Sequence, residues 1–338
     1  MDTKKILVTG GAGYIGSHTV VSLLEAGFEP IIVDNYCNSQ AWIINQLQEL
    51  TGQSIKNYEL DCTDKIALEK VFLNEDIHGV IHFAAFKAVG ESVTEPLKYY
   101  QNNIGSLICI IDLMNKYKVK NLVFSSSCTV YGEADFLPVT ENHPIKKAES
   151  PYGFTKQVCE NMISDSLTSK KLNRAVTLRY FNPIGAHPTG LIGELPLGTP
   201  NNLVPLITQT AAGIRDCLTV FGNNYNTADG TCVRDYIHVM DLAEAHVKSL
   251  QAMELNKQSY TLNIGTGKGN SVLEAIKAFE KVNNIKLNYK TGENRDGDIE
   301  QIYAETSLSE TTLAWKTKRT IEDAMRDAWK WQLYIQKK

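Results

Sequence analysis

Two side chains four positions apart, Tyr152 and Lys156, are the groups in this 338-residue sequence best suited to moving a proton. They fall in the segment Pro151-Tyr152-Gly153-Phe154-Thr155-Lys156, which reads as a helix start because proline is well tolerated in the first turn. Spacing of i and i+4 puts both on one helix face. A free phenol has a pKa of about 10 and is a poor base near neutrality. Lowering it by about three units takes ~4 kcal/mol, which an ammonium plus a second positive charge can supply in a dry site. Ser127 closes a strand-like run into Ser125-Ser126-Ser127 and can share the proton and orient a hydroxyl of the substrate. A Tyr-x-x-x-Lys pair also arises by chance on exposed helix faces, so the surrounding elements decide its meaning.

The first of those elements is the stretch Thr9-Gly10-Gly11-Ala12-Gly13-Tyr14-Ile15-Gly16. An apolar run, Lys5 to Val8, leads into it. Ile15, Thr19, Val20, Leu23 and Leu24 follow at helical spacing until Gly27, and Phe28 to Val33 reads as a second strand ending at Asp34. Such a strand–turn–helix–strand unit holds a dinucleotide. Its glycines allow a tight turn, close approach of a pyrophosphate and helix–strand packing, and the helix N-terminus favours the anion without a basic side chain. The spacing Gly10-x-x-Gly13-x-x-Gly16 differs from Gly-x-Gly-x-x-Gly, and a glycine triplet alone is weak evidence. Asp34, eighteen positions after Gly16, adds weight: it is placed to accept both ribose hydroxyls and would repel a 2′-phosphate, which favours NAD over NADP. A tyrosine base beside a nicotinamide removes a proton from an alcohol, which is hydride-transfer chemistry.

From Lys5 to about Ile184 apolar runs alternate with amphipathic segments. Strands are expected near Lys56 to Leu60, Gly79 to Phe83, Asn121 to Phe124 and Ala175 to Tyr180. The expected fold is α/β, a doubly wound parallel sheet of Rossmann type over residues 1–184. Asp61 and Phe83-Ala84-Ala85 then lie at the C-terminal edge of the sheet, where such folds bind ligands. Past Gly185 a Gly- and Pro-rich stretch breaks the pattern. Helices are expected at Leu203 to Ile214, Val239 to Met253, Val272 to Val282 and Ile321 to Tyr334, with strands at Leu218 to Phe221 and Tyr260 to Ile264. Residues 185–338 thus form a smaller mixed α/β lobe, with some strands and helices free to interchange with the first domain.

Composition narrows the function classes. A formal net charge of -4 with scattered Lys and Arg gives no basic stripe for nucleic acid. No apolar run approaches the roughly 20 residues that span a bilayer, and the start of the chain has no leader-like pattern. Seven cysteines, Cys37, Cys62, Cys109, Cys128, Cys159, Cys217 and Cys232, form no Cys-x-x-Cys pair, which points to reduced thiols in the cytoplasm. No His-Glu-x-x-His spacing indicates a metal.

The glycine turn and Tyr152-x-x-x-Lys156 together resemble the extended short-chain dehydrogenase/reductase superfamily. Further blocks resemble its UDP-glucose 4-epimerase family: Asp34-Asn35, Phe86-Lys87-Ala88-Val89-Gly90-Glu91-Ser92, Ser125 to Gly132, Arg179-Tyr180-Phe181-Asn182-Pro183, Gly185-Ala186-His187-Pro188 and Val233 to Val239. The likeness runs from the first strand to the last helix. It implies a cycle in which Tyr152 takes the 4-hydroxyl proton of a UDP-hexose while hydride moves between C4 and a tightly held NAD, the 4-keto sugar turning over before the hydride returns. The resemblance places the cofactor against Gly10, Gly13, Tyr14, Ile15, Gly16, Asp34, Asn35, Asn38, Ser39, Asp61 and Cys62, then Phe83, Ala84, Ala85 and Ser125. Lys87, Asn102 and Tyr180 would touch the nicotinamide half, with Tyr152 and Lys156. Substrate would meet Ser127, Tyr152, Asn182, Asn202, Leu203, Phe221 and Asp298, with Arg234 and Arg295 on the diphosphate.

Two departures stand out. Cys128 replaces the usual alanine, a change expected to be silent. Ile302 occupies a variable position near the sugar's 2-substituent, where a bulky tyrosine excludes N-acetylated sugars; isoleucine implies weak acceptance at most. Related dehydratases and decarboxylases carry a Glu, often after Asp, just before Val-Tyr-Gly, and here Cys128 and Thr129 stand there. The other rivals are a net dehydrogenase releasing NADH and a non-catalytic NAD-binding regulator, which has no need of an intact tyrosine–lysine pair. Family members often pair through helices that here span about Leu97 to Lys116 and Tyr152 to Leu167, so a homodimer is expected. Leu107, Ile110, Ile111 and Met114 would fit such an interface or the core.

Overall fold

The structure, a computed structural model, describes residues 3–295 and 298–338. Asp296 and Gly297 of the charged turn Asn294 to Asp298 therefore lie outside the described residues.

Six strands of the first half are β1 (Lys5–Thr9), β2 (Glu29–Asp34), β3 (Lys56–Glu59), β4 (Ile77–His82), β5 (Asn121–Ser127) and β6 (Arg174–Tyr180). The second half adds β7 (Asn182–Ile184), β8 (Leu218–Phe221), β9 (Val233–His238), β10 (Tyr260–Ile264), β11 (Gly269–Ser271), β12 (Tyr289–Gly292) and β13 (Gln301–Ile302). The main sheet has seven strands in the order β10-β6-β5-β4-β1-β2-β3, every neighbouring pair parallel. Ile6, Leu7 and Val8 are fully buried because helices cover both faces, as a parallel sheet requires. At roughly 1.5–3 kcal/mol for each such side chain, this strand anchors the core.

Sequence and structure differ most at β10. Its residues, which the sequence assigns to the alternation of the second lobe, pair with β6 in register Tyr260↔Val176 to Ile264↔Tyr180. The helix before it, Val239–Asn256, packs on the glycine-turn helix Tyr14–Glu25 and covers one sheet face. Helices Gly105–Lys116 and Pro151–Thr168 cover the other, where Leu107, Ile110, Ile111 and Met114 all enter the same core as Leu7, Val80 and Leu122. Those four are core residues. The single helix expected from Leu97 is in fact Pro96–Tyr99, one π-helical turn over Tyr100–Ile104, then Gly105–Lys116. A π-turn shifts the side chains after it around the axis, and here it carries Asn102 and Asn103.

Around β9 the second lobe builds a small sheet, with β7 and β13 parallel to it and β11 antiparallel; β8 and β12 form a separate parallel pair. Its own core includes Ile207, Val220, Tyr236, Ile276, Phe279 and Met325. The helix Ile321–Ile335 starts with a capping box between Thr320 and Asp323 and returns across both lobes. Trp331 on it stacks with Trp42 of the first half, ring centroids 6.2 Å apart, and the Tyr334 hydroxyl donates to Gln46 Oε1 at 2.9 Å.

Candidate active site

Above the C-terminal ends of β1, β2, β4 and β5 a cavity of about 1150 Å³ lies between the sheet and the second lobe. The glycine turn forms its floor. Gly10 sits at φ +70°, where a side chain is disfavoured, and a Cβ there would lie 2.9 Å from the Ala84 nitrogen. A Cβ on Gly16 would stand 2.2 Å from the Gly10 carbonyl oxygen, so turn and helix can meet only through glycine. Gly13 caps the helix Tyr14–Glu25 without any side-chain hydrogen bond, leaving its first amides free toward the cavity. A backbone cradle, free amides and the positive end of the helix suit a pyrophosphate. Tyr14 and Ile15 line the same floor.

Asp34 ends β2 as a buried carboxylate on the cavity wall. Its Oδ2 accepts from the Ala12 amide at 3.0 Å, and its Oδ1 accepts from the Tyr36 amide and the Ser39 hydroxyl, each at 2.9 Å. The turn is thereby locked to the acidic residue it works with. Asn35 donates to Asp61 Oδ2 at 2.9 Å, and Thr63 hydrogen bonds hold the Asp61 carboxyl below its usual range despite its burial. Asn38 and Cys62 complete this end, the Cys62 thiol pushed up by burial. Phe83, Ala84 and Ala85 continue the wall.

At the centre, helix Pro151–Thr168 begins with Ser150 Oγ accepting from the Gly153 amide at 3.1 Å. That cap aims Tyr152 and Lys156 into the cavity. Lys156 is 4 % exposed, donates to the Ser125 carbonyl at 2.6 Å and lies 5.9 Å from the Tyr152 ring centroid. Burial lowers its pKa to about 8, opposed by Cys159 and Glu160. Burial pushes the Tyr152 phenol up to about 12, with the Ser127 hydroxyl pulling it back. The sequence leads one to expect a lowered phenol, and the protein's own groups do the reverse, because desolvation outweighs the Ser127 hydrogen bond. The second positive charge has to arrive with whatever fills the cavity. Ser125 and Tyr180 hydrogen-bond each other through their hydroxyls beside this pair. Ser127 stands behind the wall, where its Oγ also accepts from the Thr129 amide at 3.2 Å.

The second lobe supplies the far end. Asn182, Asn202, Phe221, Arg234, Arg295, Asp298 and Ile302 line the cavity, while Leu203 packs into the lobe's own core. Asp298 lies between the two arginines: Arg295 Nε bonds its Oδ2 at 3.0 Å, and Arg234 Nη2 is 3.9 Å from its Oδ1. The Arg295 guanidinium stacks over Phe221, 4.8 Å to the centroid. Ile302 is buried against Val130, Tyr131 and Phe181. Cys128 lines the cavity as a protonated thiol, its pKa pushed up to about 12 by burial.

Several positioning groups escape a reading of the sequence. Buried Asn103 accepts from the Phe86 amide at 2.9 Å and donates to the Phe86 carbonyl and Thr155 Oγ1, tying the loop of Lys87 to the helix of Tyr152. Glu160, one turn past Lys156, takes a bidentate pair from buried Arg179, Nη2–Oε2 2.6 Å and Nε–Oε1 3.0 Å, and a hydrogen bond from Ser126. Asparagine in a helix and a charge pair 19 positions apart carry no local signal.

Similarity to known proteins fits this geometry. Residues 7–328 match the family model described as GDP-mannose 4,6 dehydratase. The UDP-glucose 4-epimerase of Haemophilus influenzae is 49% identical over 327 residues, covering 97% of either chain. Among solved structures, that of UDP-glucose-4-epimerase from Stenotrophomonas maltophila with bound NAD and formylated UDP-arabinopyranose superposes with a TM-score of 0.96 at 45% identity, covering 99% of both chains. The Bifidobacterium longum enzyme in complex with NAD+ and UDP gives 0.94 at 43%, covering 98% of both. With a strand–glycine-turn–helix cradle, a Tyr152–Lys156 pair on the cavity wall and two lobes facing one cavity, the chain belongs to the UDP-glucose 4-epimerase family of the extended short-chain dehydrogenase/reductase superfamily.

Proposed function

We infer that the protein interconverts UDP-glucose and UDP-galactose by inversion at C4 through a 4-keto sugar. The observation that carries this reading is that Tyr152 and Lys156 line one cavity together with the glycine turn Gly10 to Gly16 and, from the second lobe, Arg234 and Arg295. A sugar C4–H is not acidic, so inversion requires oxidation and re-reduction. A bound NAD would supply the hydride acceptor and donor and the positive charge that the phenol lacks. Gly10, Gly13 and Gly16 would hold its pyrophosphate, and Asp34 its adenosine ribose. Arg234 and Arg295 grip the diphosphate of UDP, with Asp298 aligning them. Tyr152 takes the 4-hydroxyl proton and later gives it back, with Ser127 orienting the phenol from behind and Lys156 holding a charge beside it. The hexose must turn over between the two half-reactions, so binding energy resides in the nucleotide and little in the sugar.

Neither Cys128 nor Thr129 provides the carboxylate that a dehydratase needs at that place, so the match to a dehydratase family model describes the scaffold. Incubation with UDP-galactose without added cofactor tests the function: separation of the UDP-sugars should show UDP-glucose. No product either with or without added NAD would refute it.

Ile302, buried in one cluster with Tyr131 and Phe181, lines the cavity, and the resemblance sets it near the sugar's 2-substituent with a side chain of intermediate size. UDP-GlcNAc should therefore turn over well below UDP-glucose; comparable kcat/KM for the two sugars would contradict this.

A homodimer is supported by exposed apolar side chains on the two helical segments beside the site, Leu97, Ile108 and Phe154 at 77%, 49% and 47% exposure. Light scattering should give twice the mass of the chain, and a monomer would end this reading. Among the described residues no helix is long and apolar enough to cross a membrane. Seven free thiols, four of them buried, suit a reducing cytoplasm.

A further inference from the structure

One carboxylate on the cavity wall, that of Glu194, has no part in the site as described so far. Glu194 lines the cavity with its side chain 12% exposed. The backbone that presents it is fixed from outside. Trp331 Nε1 donates to the Glu194 carbonyl at 2.9 Å, and Gly193 lies so close that a Cβ there would sit 2.4 Å from the Trp331 ring. Gly190, three residues earlier, lies close to Lys330, where a Cβ would come within 3.0 Å of the Lys330 side chain. The C-terminal helix thus sets where the Glu194 carboxylate points.

Two groups from opposite sides of the cavity converge on one oxygen of it. Asn202 Nδ2 donates to Glu194 Oε1, and Lys87 Nζ reaches the same atom at 3.4 Å. The charge is also close enough to Tyr14, at the start of the glycine-turn helix, to help raise its phenol pKa behind burial. Lys87 comes from the loop after β4, half exposed, and Asn202 precedes the helix Leu203–Ala211 of the second lobe. Of the two contacts the Asn202 bond is the stronger, because an exposed ion pair at this separation contributes little and a hydrogen bond to a charged acceptor contributes more.

We propose that Glu194 is a positioning residue for the nucleotide-sugar. Its carboxylate, set by the C-terminal helix, holds Asn202 in the orientation that receives UDP and ties that side of the cavity to Lys87 on the cofactor side. This deepens the epimerase reading and rests on it for the roles of Asn202 and Lys87. The residue touches no reacting atom, so its removal should act on binding and spare the chemical step.

The test compares Glu194→Leu and Glu194→Gln with the unaltered protein in KM and kcat for UDP-galactose, in the calorimetric Kd for UDP, and in bound nucleotide and thermal midpoint. Glu194→Leu should raise KM and the UDP Kd about tenfold, the weight of one hydrogen bond to a charged acceptor, with kcat within about threefold. Glu194→Gln keeps an acceptor oxygen for Asn202 and should recover most of the UDP affinity. Unchanged KM and UDP Kd in both variants would overturn the proposal. So would parallel losses of kcat, UDP affinity and bound nucleotide that track a lowered midpoint, since a purely structural residue behaves that way. If the unaltered protein binds UDP and does not epimerise, the epimerase reading fails while the UDP titrations still decide the role of Glu194.

Discussion

Tyr152→Phe should lower the rate of UDP-galactose epimerisation by about three orders of magnitude, within the 10²–10⁴-fold range of general acid–base catalysis, and leave the bound nucleotide in place. The phenol ring lines the cavity beside Lys156, and only its oxygen is deleted, so packing is nearly unchanged. The hydroxyl, beside Ser127, is the group read as taking and returning the alcohol proton, and its loss removes that acceptor from hydride transfer. Burial already holds this phenol near pKa 12 in the protein alone. Activity therefore depends on the positive charges beside it, Lys156 from the chain and the nicotinamide from the ligand. The measurement is separation of UDP-sugars together with the nucleotide released on denaturation. An unchanged rate in Tyr152→Phe would remove the phenol from the mechanism.

Gly16→Ala should yield a protein that is purified without NAD and has no measurable activity. The added Cβ would stand 2.2 Å from the Gly10 oxygen, 2.8 Å from Gly11 Cα and 3.0 Å from the Gly10 carbonyl carbon, all backbone of the turn. None of these atoms can swing aside as a flexible side chain would. The turn has to move, and with it Gly10 against Ala84 and the Ala12 amide on Asp34. Overpacking of this kind costs about 1–3 kcal/mol, enough to lower the thermal midpoint without abolishing the fold. Gly27→Ala is the control. No atom lies within 4 Å of a Cβ there, and only its φ of +79° is unfavourable, so it should lose a little stability and keep its cofactor. Equal nucleotide content in the two variants would show that the turn does not grip the dinucleotide.

The parts of this molecule that were legible in the sequence are those written in local spacing. Gly10 to Gly16, Asp34 and the Tyr152–Lys156 pair each reveal themselves within a few residues, because a tight turn, a strand end and a helix face are local objects. The substrate side came through resemblance: nothing in the residue types of Asn182, Asn202 or Phe221 marks them, and only the fold carries them to the cavity. Other features depend on contacts that local patterns cannot express. β10 lies 84 positions beyond its β6 partners, as in the pair Tyr260↔Val176, and its place at the sheet edge has no signal in its own alternation, which suits either lobe. Leu107, Ile110, Ile111 and Met114 were equally compatible with core and interface, since apolar periodicity says that a face is covered and not by what. Asn103 and the Glu160–Arg179 pair were invisible for the same reason.

The late strand also bears on how the protein comes into being. β6 remains an open edge until residues 260–264 pair with it, and the helix of the glycine turn lacks its cover until Val239–Asn256 has been made. On a ribosome adding about 5–20 residues per second, the first half of the chain waits several seconds with an unpaired strand and an uncovered apolar face. Parallel pairing at long sequence separation is slow to form and prone to wrong partners. Nascent chains of this protein thus pass through an aggregation-prone interval with the dinucleotide cradle already translated and its sheet unfinished, and completion of that sheet waits until about half of the second lobe, residues 185–264, has been made.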